Sequence, residues 1–81
     1  MERDVTQILS AATDSVDLIN GVNDGSWNVE GLEQSEINDM VQRNVDHLEI
    51  ILAYEEVVAD SSDKSSYTDA VATGKAYIAA N

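Results

Sequence analysis

A lone histidine, His47, and sixteen carboxylates are the groups from which general acid-base chemistry would most readily be assembled in this 81-residue chain. A nucleophile-base pair of the Ser-His or Cys-His kind would have to be built around His47. It stands between Asp46 and Leu48, with Arg43 one turn before it and Ile51 one turn after. There is no second histidine and no cysteine for a zinc site. The expected role of His47 is therefore half-buried packing. Asn23-Asp24-Gly25 and Asp60 to Asp63 invite a calcium reading. With Gly25 at the sixth loop position, however, Val22 falls third and Gly31 twelfth, where ligands are required and a bidentate Glu is expected. Carboxylate pairs can be drawn from Asp14, Asp17, Asp46 or Glu49, but among sixteen acids such pairs arise by chance. No phosphate-cradling glycine loop is present. No catalytic residue, metal ligand or cofactor is expected, and an enzyme is not the leading class.

The remaining composition narrows the class further. Eighty-one residues make one domain, and a chain this short buries only around two-thirds or less of the surface its unfolded form exposes. Sixteen acids against Arg3, Arg43, Lys64 and Lys75 give a formal charge of −12, which repels nucleic-acid phosphates and anionic membranes alike. The stretch after Met1 to Asp4 is interrupted by Thr6, Gln7, Ser10, Thr13 and Asp14 and lacks the apolar run of a secretion signal. No apolar run is longer than that from Ile50 to Tyr54, which is far shorter than the roughly 20 residues of a membrane span. A cytoplasmic product with neither direct nucleic-acid binding nor membrane insertion is expected.

With no Pro and only four Gly, the chain reads as all-α, a small three-helix bundle occupying residues 1–81. The first helix is expected over 4–20, with Val5, Ile8, Leu9, Ala12, Val16 and Ile19 on one side. Asp4 and Gln7 have capping-box spacing, and Gly21 is placed to end the helix in the left-handed region. Val22 to Gly31 then form a turn-rich connection around Asp24-Gly25. The second helix is expected over 33–59, aided slightly by an Asp39–Arg43 pair four residues apart. Asp60 to Ser66 contains no apolar residue and reads as an exposed joint. The third helix follows over 66–80, with Ser66 and Asp69 as a second capping box. Its stripe is Tyr67, Ala70, Val71, Gly74, Tyr77 and Ile78. Gly74 costs about 1 kcal/mol of helix propensity there, which makes sense if another helix packs against its bare backbone.

The second helix carries a surplus. Ile37, Met40, Val41, Val45, Leu48 and Leu52 form its core stripe, while Ile50, Ile51, Tyr54, Val57 and Val58 add apolar groups at other angles. Something must cover these, either the other two helices or another chain. Ile50, Tyr54, Val57 and Val58 are the interface candidates, joined by Trp27 because Trp is enriched at binding hot spots. A lid over the core is the simpler reading of Trp27.

Arg43-Asn44-Val45-Asp46-His47-Leu48-Glu49-Ile50-Ile51-Leu52-Ala53 and Gly74-Lys75-Ala76-Tyr77-Ile78-Ala79-Ala80 together resemble small uncharacterised proteins of tailed bacteriophages, particularly marine and cyanobacterial phages. The resemblance covers less than a quarter of the chain closely and extends to the order of helix, acidic turn, helix and alanine-ended final helix. It implies a phage-encoded protein made in the host cytoplasm, with a place in or on the virion, and it carries no catalytic residues. The expected function is thus a non-enzymatic structural or interaction protein that binds itself, as a homo-oligomer, or a larger phage structural protein. The alternative is an acidic mimic of nucleic acid that inhibits a host enzyme, its Asp and Glu standing in for phosphates.

Overall fold

The computed structural model describes residues 5–54 and 64–81, with no side-chain description for 5 and 6. Three helices follow one another: α1 (Val5–Asp24), α2 (Gln34–Ala53) and α3 (Lys64–Ala80). Each packs against the other two, forming a small three-helix bundle without strands among the described residues. The core lies along their common axis. α1 contributes Ala12, Ile19 and Val22; α2 contributes Ile37, Val41, Val45, Leu48 and Ile51; α3 contributes Tyr67 and Ala70. These positions recur three or four residues apart because that spacing keeps side chains on one side of a helix.

The bounds depart from the sequence expectation at three places. α1 continues through Gly21 to Asp24 instead of stopping at Asn20, so Val22 belongs to the core and not to the connection. Gly21 does not take the left-handed conformation; Gly25 does, at φ +87°, and it follows the last helical residue. The smallness of Gly21 serves packing instead. A Cβ there would lie 3.2 Å from both Cβ and Cε3 of Trp27, whose amide donates to the Gly21 carbonyl at 3.0 Å. Trp27 folds back over the end of α1 and remains 40% exposed, so it is only a partial lid.

α2 starts where expected, but by a device that sequence reading passes over. The Glu33 backbone N–H donates to Glu36 Oε1 at 3.1 Å, satisfying a group left open at the helix start. The helix closes at Ala53, with the Tyr54 amide bonded to the Ile51 carbonyl at 3.0 Å. The expected helix to Ala59 is therefore interrupted at Tyr54, whose backbone has left the helical region at φ −89° and ψ 82°; Val57 and Val58 lie outside the described residues, as does the expected Asp4 cap of the first helix. α3 begins at Lys64, which places Ser66 inside the helix and not at its N-cap. The Thr68 hydroxyl there bonds back to the Lys64 carbonyl at 3.1 Å, a helical i to i−4 contact.

Gly74 sits where α3 meets the other helices. A Cβ at this position would overlap Val45 Cγ2 and lie 3.3 Å from Val41 Cγ1 and 3.4 Å from Ile19 Cγ2. The apolar stripe of α3 thus contains a missing side chain, filled by two valines of α2 and an isoleucine of α1.

Candidate functional site: the α1–α2 polar contact and the outer face of α2

Ser15 is the one buried polar residue among those described, at 3% exposure on the core side of α1. Its hydroxyl donates to Asn44 Oδ1 at 2.9 Å and lies 2.9 Å from His47 Nδ1. Asn44 and His47 are one turn apart on α2, and the Asn44 amide nitrogen donates to the Met40 carbonyl at 2.8 Å. That last bond sets the direction of the rest. With Nδ2 committed to Met40, Oδ1 must face Ser15 and take its proton; His47 then donates from Nδ1 into the Ser15 lone pair.

The arrangement brings a serine to a histidine, yet it is not assembled as a nucleophile and base. A base must accept the hydroxyl proton, whereas here Nδ1 is the donor and the proton belongs to Asn44. Ser15 is also too enclosed for a substrate carbon to approach its oxygen. What the contact can do is fix the register of α1 against α2, since sliding either helix by one turn would leave the buried Ser15 hydroxyl without its partly buried partners Asn44 and His47. Ser15→Ala should lower stability by about 1 kcal/mol, the net worth of the hydrogen bonding lost between the buried hydroxyl and its partly buried partners. Urea unfolding monitored by circular dichroism measures this; an unchanged midpoint would show that water replaces the hydroxyl.

The acidic connection is occupied with its own backbone. Asp24 Oδ1 accepts from the Ser26 amide at 2.8 Å, and Asn28 Oδ1 from the Glu30 amide at 3.0 Å. Hydrogen bonds from the Ser26 hydroxyl and then its amide hold the Asp24 carboxyl below its ordinary value of 3.8. Because the folded value is depressed, this turn keeps its stabilisation above the ordinary carboxylate range and loses it only as pH falls through the lowered value. Among the described residues no three His, Asp or Glu side chains converge in a way that could hold a metal ion.

The face of α2 opposite the core presents the second feature. Ile50 and Tyr54 are each 56% exposed, and Leu32, just before the helix, is 40% exposed. Ile51, expected at an outer angle with them, is instead buried at 3%, while Met40 and Leu52 of the expected stripe are only partly buried. The inner face is therefore centred so that α1 and α3 together cover Ile51, and the surplus is smaller than periodicity suggests. Ile50 and Tyr54 are left outside. Leu32 was missed as a candidate because a single leucine in a polar connection has no periodic partner; its signal is its placement one turn before Glu36, on the outer line of α2.

Towards the start of the same face, Leu32, Glu36, Asp39, Met40 and Arg43 line an open depression of about 280 Å³. Asp39 and Arg43 do not close the salt bridge their spacing permits; the ion pair found among the described residues is Lys75 to Glu49, at 3.4 Å between exposed side chains. A pair so exposed contributes at most about 1 kcal/mol. A second shallow depression, of about 210 Å³, lies between α1 and α3 and is lined by Thr13, Val16, Asp17, Ser66 and Tyr67. None of the described helices is long and apolar enough to cross a membrane. No family model, curated protein or solved structure matches the chain.

Proposed function

We propose that this chain is a non-enzymatic interaction protein, a phage virion component that attaches to itself or to a larger structural protein through the outer face of α2. The observation that supports this reading is the exposure of Ile50 and Tyr54, which point away from a core that α1 and α3 already fill. In a bundle with few apolar residues to spare, two large side chains left in water are most simply explained by a surface that covers them. Covering the exposed parts of such side chains supplies on the order of 1–2 kcal/mol each before association costs. The resemblance of the α2 and α3 segments to small tailed-phage proteins directs the proposal to the virion.

Immobilised protein should retain a virion structural protein from disrupted phage particles, and Ile50→Asp and Tyr54→Asp should each abolish that retention while leaving the helical signal intact. Retention that is equal for all three proteins would overturn the reading.

The acidic surface supports a second reading, a mimic of nucleic acid. Sixteen carboxylates face four bases in the sequence, and the ion pairing seen among the described residues neutralises one of those acids. This reading requires a partner with a basic cleft whose binding weakens steeply with salt, because exposed charges are screened within about 8 Å at physiological ionic strength. Binding through Ile50 and Tyr54 is far less salt-sensitive.

A further inference from the structure

We infer that the outer face of α2 docks a basic, amphipathic segment of another protein, its apolar groups meeting Ile50 and Tyr54 and its ammonium or guanidinium groups donating to the acceptors beside them; this rests on the interaction-surface reading above. Charge complementarity selects the occupant. Glu36, Asp39, Arg43, Asp46, Ile50 and Tyr54 follow one another at three or four residues, the spacing of one helical side, and all six are exposed. Three carboxylates thus accompany one guanidinium, and none of these four is ion-paired among the described residues. A second copy would bring the same excess within a formal charge of −12, so like charge would meet like. A basic segment suits both parts of the face. Lys and Arg stems cover apolar surface while their heads stay with polar groups, and a cation over the ring of an exposed Tyr is itself attracted.

The acceptors on this face are open to such donors. Asp46 engages only Oδ1, which takes the Gln42 side-chain amide at 2.8 Å. His47, three residues before Ile50 and hence its neighbour on the helix surface, adds an acceptor of defined orientation. Because Ser15 gives its proton to Asn44 Oδ1, Nδ1 of the neutral imidazole must carry hydrogen, and the ring's lone pair is left on Nε2. Nε2 makes no hydrogen bond among the described residues and is not buried. It can therefore accept from an ammonium or guanidinium of the occupant. The buried serine of α1 in this way fixes what α2 offers at its surface. Three carboxylates and one imidazole supply part of the affinity and the apolar contacts the rest. Binding should weaken several-fold from low to physiological salt and persist beyond it, whereas a mimic relying on charge alone would be lost.

Titration of the nitrogen-15-labelled chain with a synthetic lysine-leucine amphipathic peptide, followed by NMR with the imidazole neutral, tests this. The expected result is saturable binding that moves the amides from Asp39 to Tyr54 and the Nε2 resonance of His47. Affinity should fall several-fold with Ile50→Ala, and several-fold with Asp39→Asn and Asp46→Asn together. A peptide of equal charge with serine for leucine should bind far more weakly, and one with glutamate for lysine should not bind. Ser15→Ala should also weaken binding, although Ser15 is buried, because the ring is then released to carry its hydrogen on Nε2. Equal binding of the leucine and serine peptides would mean diffuse attraction and overturn the proposal. Shifts centred on another face, or affinity indifferent to all these variants, would overturn it as well. Capture of a virion protein that is lost on Ile50→Asp yet unaltered by Asp39→Asn with Asp46→Asn would also reject a basic occupant, while leaving the proposed function standing.

Discussion

Gly74→Val is expected to destabilise the bundle by about 3 kcal/mol or more, at the upper end of the overpacking range. On helix propensity alone the change would be mildly favourable, because glycine is the poorer helix former. Packing decides the sign. The new Cβ would occupy the volume of Val45 Cγ2 and press on Val41 Cγ1 and Ile19 Cγ2. Val41 and Val45 are fully buried and β-branched, so neither can swing aside to a second rotamer without meeting another core atom. Gly74→Ala isolates the effect: an exposed helical site would gain about 1 kcal/mol from this change, whereas here a net loss is expected. Thermal unfolding of the two variants beside the parent chain makes the measurement, at roughly 4–8 °C per kcal/mol for a domain of this size. A raised midpoint for Gly74→Ala would mean that α3 stands further from α2 than the structure has it.

Leu48→Ala should cost about 3–4 kcal/mol, within the usual span for removing a buried leucine. Leu48 is fully buried at the centre of the α2 contribution, between Val45 and Ile51 and one residue from His47. The loss combines the transfer free energy of the missing methyl groups with a cavity that three tightly packed helices cannot collapse to fill. Total stability for small domains is only about 5–15 kcal/mol, so this variant should sit near its unfolding transition at moderate temperature. Denaturant titration gives the difference directly. Ile50→Ala provides the contrast: with more than half its surface already in water, it should change monomer stability by less than about 1 kcal/mol. A comparable loss at both positions would mean that the outer face of α2 is covered in solution.

Much of the bundle was legible in the sequence because apolar spacing is a local property. Ile37, Val41, Val45 and Leu48 repeat at three and four residues, and they are buried together. Tyr67, Ala70 and Gly74 do the same on α3. Even the gap at Gly74 could be anticipated, since a glycine on an apolar helical stripe loses propensity unless something fills its place. The end of α1 was misread because Gly21 and Gly25 offer the same local signal. What separates them is the indole of Trp27 folded over Gly21, a contact between residues whose approach depends on the path of the connection.

The candidate site divides in the same way. Ile50 and Tyr54 stood out as apolar groups off the main stripe and are exposed, while Ile51 shared that description and is buried. Periodicity assigns each an angle on the helix but not the arc that two neighbouring helices cover. Ser15 gave a fainter signal, a polar residue in register with Ala12 and Ile19, opposite Asn44 and His47 at helical spacing. Nothing local indicates that these three meet.

The sequence by itself determined three amphipathic helices, an acidic surface with little cationic counterbalance, and the close approach at Gly74, because composition and residue spacing act within a few turns of chain. The tertiary structure alone decided which flank of α2 faces inward, the direction of the hydrogen bonds through Ser15, and which apolar side chains of α2 remain exposed. Those depend on how α1 and α3 divide the circumference of α2 between them, and that division is set by long-range packing that no window of sequence contains.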